Sequence, residues 1–281
     1  MTDARNAAEL GIGVGWRPEL AELIASEERL FVEVIAENVD PRRLPHALEE
    51  LVAQGRPVVP HGIRLSLGGA DLPDRRRLDH LAALAEAVHA PSVSEHIAFA
   101  RAHGVEAGHV LPVPRTADAL EIISENVAAA QKRLPVPLAL EHVAALVEWP
   151  DPEMSETEFI AELLARTDAL LLLDLSNLYA NAHNHRFDPV AALGELPLER
   201  IAYVHVGGGR FVDGRYHDTH ADPVLAGVLD LVEELYARTE PAGILLERDA
   251  NYPSDADTLS DLDAIDRAAT RGTERRAISG T

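Results

Sequence analysis

Leu170-Leu-Leu-Leu-Asp174-Leu-Ser-Asn177 runs four leucines into an aspartate, with an asparagine three residues on. An unbroken apolar run of this length suits a strand covered on both faces, as in a parallel sheet. A carboxylate at the C-terminal end of such a strand gains nothing from packing. The same pattern recurs along the chain. Phe31-Val-Glu33-Val-Ile-Ala-Glu37, Pro57-Val-Val-Pro-His61, Ser92-Val-Ser-Glu95-His96, Pro137-Leu-Ala-Leu-Glu141, Ile201-Ala-Tyr-Val-His205 and Gly243-Ile-Leu-Leu-Glu247 each end in an acid or a histidine. Gly11-Ile-Gly-Val-Gly15 reads as a first strand, its glycines allowing close backbone approach. Its spacing is not that of the dinucleotide phosphate fingerprint.

Helical patterns alternate with these strands. Pro18 opens the first. Further helices are predicted over 41–54 (closed by Gly55), 74–89, 116–133 (Thr116 as N-cap), 155–166 (a Ser155-x-x-Glu158 capping box), a short stretch ending at Leu196, 223–238 and 254–269. Residues 101–114, 181–189 and the stretch up to His220 read as loops, the first long enough to suggest a functional role. Eight strands alternating with about as many helices predict an α/β fold, a (β/α)8 TIM barrel, in one domain. The barrel is expected over 10–270, with a polar, flexible tail over 271–281. An open doubly wound sheet shares the alternation, but it gathers its site at one switch point. Here functional-type residues end most of the strands.

Composition narrows the chemistry. Of 281 residues, 47% are hydrophobic and only 4% aromatic, so the core must be aliphatic. The net charge of −22 disfavours nucleic acid as a partner; it suits a basic peptide or a metal cation, and its plainer reading is that it serves solubility alone. There is no cysteine, so any metal must sit on nitrogen and oxygen ligands. The N-terminal Met1-Thr-Asp-Ala-Arg-Asn6 lacks the apolar core of a signal peptide, and no run of about 18 apolar residues could span a membrane. A cytoplasmic location is expected.

At the C-terminal strand ends and in the loops beyond stand His61, His96, Glu141, Asp174, Asn177, His205, Asp218, His220 and Glu247. In a barrel these converge on one mouth. Asp218-Thr-His220 would put both ligands on one side of an extended backbone. Asp174 and Asn177 would flank a strand-to-loop bend and so serve neighbouring metals. Each residue alone has a plainer reading: a hydrogen-bonded scaffold histidine, or a carboxylate paired with arginine. Together at one mouth they would repel or desolvate one another without cations, which points to a metal cluster. Imidazole mixed with carboxylate suits iron, manganese or zinc. His142, His183, His185 and His217 are candidates to orient the ligands. His46, His80, His89, His103 and His109 read as surface residues. Glu33, Glu37 and Glu95 receive no role, and Arg64, Arg210 and Arg248 would bind a substrate carboxylate or neutralise neighbours.

The series Glu33-x-x-x-Glu37-Asn38, His61-Gly62-x-x-Leu65-Ser66, Ser94-Glu95-His96, Glu141, Asp174-Leu-Ser-Asn177-x-Tyr179, Asn184-His185, His205-Val-Gly-Gly, Asp218-Thr-His220 and Glu247-Arg-Asp249 resembles the multinuclear non-haem iron-dependent oxidative enzymes (MNIO), the group of the methanobactin-biosynthesis enzyme MbnB. The resemblance spans roughly residues 10–255 in order. It implies a xylose-isomerase-like TIM barrel holding two or three iron ions in mixed Fe2+/Fe3+ states, with dioxygen as co-substrate. It also implies oxidative modification of a ribosomally made precursor peptide, commonly at cysteine, and for many members a partner protein that presents the peptide. By analogy His61, His96 and Glu141 would hold one iron. Glu141 would bridge to a second, also held by Asp174, His205 and Glu247, and Asn177, Asp218 and His220 would hold a third. One departure is His142, where members often have asparagine.

Two other readings fit the donor set. A trinuclear zinc hydrolase, as in endonuclease-IV-like or isomerase-like barrels, would activate water. Against it stand the net charge of −22 and Asn177, where the endonuclease pattern has a histidine. A non-catalytic metal-binding or peptide-presenting module would need a closed ligand shell, and nine donors exceed one.

Overall fold

Eight parallel strands close on themselves, with helices outside. The computed structural model describes residues 9–279. The strands are β1 (Gly11–Gly15), β2 (Phe31–Ile35), β3 (Val58–Gly62), β4 (Val93–His96), β5 (Ala98–Ala102), β6 (Val105–Pro112), β7 (Leu138–Glu141), β8 (Leu170–Asp174), β9 (Ile201–Val206), β10 (Gly209–Val212), β11 (Arg215–Asp218) and β12 (Gly243–Leu246). The ring runs β1-β12-β9-β8-β7-β4-β3-β2. The TIM barrel expected from the sequence is therefore present, with all eight of its strands. The helices are α1 (Ala21–Ser26), α2 (His46–Ala53), α3 (Arg75–Ala87), α4 (Ala117–Gln131), α5 (Glu156–Arg166), α6 (Leu175–His185), α7 (Pro189–Glu195), α8 (Ala226–Arg238) and α9 (Asp255–Ser279).

Strand side chains alternate, and the alternation sorts the core into two bodies. Phe31, Val59, Ala139, Leu172, Tyr203 and Leu245 belong to a small cluster that fills the inside of the ring. Their strand neighbours Val32, Val58, Leu138, Leu171, Val204 and Ile244 join a larger cluster that packs against helix residues such as Leu81, Leu120, Leu163 and Leu231. Gly13 on β1 makes room for the inner layer, because a Cβ there would lie 2.4 Å from the Phe31 ring. Two residues beyond each inner apolar side chain, toward the C-terminal mouth, the same face carries Glu33, His61, Glu141, Asp174, His205 and Glu247.

Several boundaries differ from the sequence expectation. The 101–114 and 209–220 connections are β-hairpins, β5–β6 and β10–β11, standing above the mouth. Residues 181–185 are not loop but the end of α6, which begins immediately after Asp174. Helix α2 starts at His46 behind Pro45, not at Pro41. The capping box at Ser155 and Glu158 forms as expected. The tail expected to be flexible over 271–281 is helical as far as Ser279, and residues 280–281 lie outside the described residues. Gly272 sits so close to α8 that a Cβ would be 2.3 Å from the Glu233 carbonyl oxygen. Arg271 and Arg275 pair with Glu233 and Glu234 at 2.7 and 3.0 Å. Packing on α8 carries the helix on where composition suggested fraying.

Candidate metal centre

Adjacent strands bring the polar layer into register. His61 lies opposite Ser94, His96 opposite Glu141, and Asp174 opposite His205. Three groups of donors face one another: His61, His96 and Glu141; Glu141, Asp174 and His205; and Asp174, His220 and Glu247. Within each group one ligand atom per residue lies within 4.8 Å of the others. Glu141 Oε2 stands 3.5 Å from His61 Nε2 and 3.4 Å from His96 Nε2. His205 Nδ1 is 3.7 Å from Glu141 Oε1 and 3.3 Å from Glu247 Oε2. His220 Nδ1 is 3.3 Å from the same Glu247 oxygen. Donors held at about 2.1 Å from a common ion sit roughly 3 to 3.5 Å apart, so these spacings match ligands around a cation.

Unpaired atoms concentrate at the same place. Among the described residues, Glu141 Oε2, Asp174 Oδ2, His205 Nδ1 and Asp218 Oδ1 are buried without a hydrogen-bond partner. Buried polar atoms left unpaired cost free energy, and a cation would satisfy this set at once. The residues therefore fit a metal cluster. Of the nine candidates, Glu247 alone has an arginine within ion-pair distance among the described residues, Arg17 at 3.8 Å.

Hydrogen bonds beneath the donors aim them. His205 Nε2 lies 2.9 Å from Glu33 Oε2, a carboxylate oxygen, so Nε2 donates and Nδ1 keeps its lone pair facing the mouth. Tyr203 donates its hydroxyl to the same oxygen at 2.5 Å. That hydroxyl is also 2.8 Å from Ser94 Oγ, and its one hydrogen is already committed. Ser94 must then donate to it and accept from His61 Nδ1 at 2.8 Å, which leaves His61 Nε2 free to ligate. One chain of hydrogen bonds thus sets the tautomers of two histidines on opposite sides of the centre. Asp174 divides its carboxylate: Oδ1 caps α6 by accepting from Ser176 N and Asn177 N, while Oδ2 faces the donors. Gly207 admits the His220 ring, which a Cβ would meet at 2.6 Å.

Burial and neighbouring charge shift the protonation of the metal-free site. Burial opposes the charged form of His96, but Glu141 and Glu95 outweigh it and push its pKa up to about 9. Burial likewise works against ionised Glu141, yet His96, His205 and His61 hold it at about 2. Asp174 is pushed up to about 7 by burial and by the carboxylates of Asp218 and Glu141. Without a cation, imidazolium ions take its place.

Seven of the nine sequence candidates meet in the three groups. Asn177 and Asp218 line the same cavity of about 390 Å³. Asn177 Nδ2 donates to the His142 carbonyl at 2.9 Å and to Glu141 Oε1 at 3.3 Å, which sets it beside the first group. The strand-to-loop bend expected between Asp174 and Asn177 is a helix N-terminus. Asp218 Oδ2 lies 2.5 Å from His220 Nε2. His220 itself joins Asp174 and Glu247, a different partition from the third site the resemblance implied. His142 reaches the centre through its backbone, whereas His185 Nε2 bonds the Ala145 carbonyl. Arg248 pairs with Asp261 and Arg210 with Asp222, and Arg64 lines the cavity. Glu33, Ser94 and Tyr203 were missed as orienting residues; the signal for Glu33 was its place in the same alternation as His61 and Glu141.

A family model for RiPP precursor modification enzymes, MbnB/TglH/ChrH, matches residues 11–270. The chain belongs to this family. RiPPs are ribosomally synthesised, post-translationally modified peptides. A UPF0276 protein of Streptomyces avermitilis is 50% identical over 96% of this chain, which spans 58% of that relative's length. A UPF0276 protein of Caulobacter vibrioides is 36% identical over 90% of this chain and 92% of its own. Among solved structures, endonuclease IV from Thermus thermophilus aligns with a TM-score of 0.57 at 20% identity, over 92% of this chain and 99% of that one. A putative xylose isomerase from Rhodospirillum rubrum gives 0.55 at 17% identity, over 93% and 98%. These likenesses establish a xylose-isomerase-like TIM barrel. No helix among the described residues is long and apolar enough to cross a membrane.

Proposed function

We propose that this MbnB/TglH/ChrH family member is a cytoplasmic oxidoreductase. It uses two or three iron ions, in mixed Fe2+/Fe3+ states, and dioxygen to modify a ribosomally made precursor peptide at cysteine. The observation that carries the reading is the convergence of seven imidazole and carboxylate donors, five of them buried and several with unpaired atoms, at the mouth of a barrel of this family. His61, His96, Glu141, Asp174, His205, His220 and Glu247 would hold the metal, with Asn177 and Asp218 at its edge. Bound there, iron would supply Lewis acidity toward a substrate thiolate and one-electron chemistry with dioxygen.

The chain's own part is orientation and enclosure. Glu33, Tyr203 and Ser94 fix which nitrogen each of His61 and His205 presents. Asn177 restrains the shared carboxylate of Glu141. The β5–β6 hairpin contributes Glu106, His109 and Val110 to the cavity wall, and the segment after β11 contributes Thr219, so a bound peptide would be flanked on two sides. A partner protein that presents the peptide belongs to the same reading. The test is metal content and dioxygen uptake of the anaerobically purified chain with its peptide. Iron at two or three per chain and peptide-dependent uptake support the proposal. Zinc alone with nuclease activity would replace it with a hydrolase.

A further inference from the structure

Beside the metal centre lies a second cavity, of about 290 Å³, that the reaction as proposed does not use. It opens between α5, α6, α7 and the segment after β7. Val143 lines both cavities, and the chain passes from Glu141 in one through His142 in the other. The His142 side chain is 3% exposed, lines the second cavity, and has no hydrogen-bond partner at either ring nitrogen among the described residues. No other described residue pairs with this buried imidazole, and a polar group entering the cavity would satisfy it.

The remaining lining defines what would pair with it. Val143, Phe159 and Ile160 form apolar walls. Four carboxylates, Glu148, Asp188, Glu156 and Glu195, face one guanidinium, Arg115. Arg115 is taken by Glu148 at 2.6 Å, and Asp188 caps α7. Glu156 and Glu195 are held by neutral donors, Asn181 at 3.0 Å and Thr157 at 2.6 Å, with no cation paired to either among the described residues. An apolar shaft, a half-buried Glu156 and an exposed Glu195 with no cation partner at its rim, and a buried imidazole with unpaired ring nitrogens together fit a cation on an aliphatic stem.

We propose that this cavity receives a lysine or arginine side chain of the substrate peptide, anchoring the peptide next to the metal centre. The inference rests on the peptide-modifying reading above and adds the residue class recognised. Trp149 lines the cavity and is one of two tryptophans, so in a Trp16→Phe background its fluorescence reports occupancy. The probes are the Nα-acetyl methylamides of lysine, arginine and norleucine, added to the full chain without peptide. Saturable changes are expected with lysine and arginine, and binding at least about tenfold weaker with norleucine, which keeps the stem and lacks the charge. Glu156→Gln and Glu195→Gln should each weaken the cationic probes about fivefold or more, and His142→Phe should abolish binding. With peptide present, the lysine probe should raise KM and leave kcat unchanged. Equal binding of norleucine, or no effect of either glutamine variant, would overturn the proposal. Because probe binding needs neither iron nor dioxygen, its failure is distinguishable from failure of the oxidative reading.

Discussion

The inside of the barrel holds two layers on the same strands, two residues apart, with opposite characters. The lower one, Phe31, Val59, Ala139, Leu172, Tyr203 and Leu245, is aliphatic or aromatic and buried. The upper one, Glu33, His61, Glu141, Asp174, His205 and Glu247, consists of acids and two histidines, each 7% exposed or less. Backbone, twist and burial are nearly shared, so the difference isolates what the side chains do. The lower layer stabilises the ring by removing apolar surface from water. The upper layer gathers charge that a metal-free barrel must neutralise with protons. Stability resides in one layer and chemistry in the other, and substitutions should separate them.

The largest effect is expected at Glu141, shared by two donor groups. Glu141→Gln should abolish peptide oxidation and remove at least one metal ion per chain, as read by elemental analysis, while the fold by circular dichroism persists. Retention of full metal content would show that the shared carboxylate is not a ligand. Leu172→Ala, one step down on β8, should do the reverse. It should cost about 2 to 5 kcal/mol of unfolding free energy in urea titration, with metal stoichiometry unchanged in the folded fraction. A matching metal loss would break the separation of layers.

The barrel was legible because each strand repeats the apolar run, and seven of the eight carry a polar terminus. Most of the donors were legible for the same reason. His220 required the hairpin, since nothing in the order Asp218-Thr-His220 says that its ring turns toward Glu247. Gly207 and β11 place it. The orienting chain was harder still. Ser94, Tyr203 and Glu33 are 109 and 170 residues apart along the sequence at their two contacts, and only ring closure brings them together. Asp174 looked like a strand end and is also a helix cap, because α6 starts without a linker. The end of α9 was misread because its stabilising partners, Glu233 and Glu234, lie on α8.

Smaller effects sharpen the comparison. Glu33→Ala leaves all seven donors in place and removes the acceptor for His205 Nε2 and the Tyr203 hydroxyl, so metal affinity should fall about 10- to 100-fold while the folded barrel persists by circular dichroism. Unchanged affinity would mean that the ring is held by packing alone. Protons compete with metal at the upper layer. His96, held at about 9, is charged at neutral pH and must release its proton to ligate, so apparent affinity should rise with pH until about 9. In the metal-free chain the same raised pKa contributes stability that is complete below the unfolded value of about 6.5 and is lost as pH rises through about 9. Calorimetry in buffers of different ionisation enthalpy reads the released protons. An affinity flat between pH 6 and about 9 would contradict the protonated His96.

The central claim is that the donors gathered at the barrel mouth form a ligand shell for iron. Anomalous diffraction at the iron absorption edge, from crystals of the anaerobically prepared chain, tests it most directly. The account predicts two or three peaks among His61, His96, Glu141, Asp174, His205, His220 and Glu247. An empty mouth closed by imidazolium–carboxylate pairs in iron-replete protein, or peaks at the zinc edge alone, would contradict it.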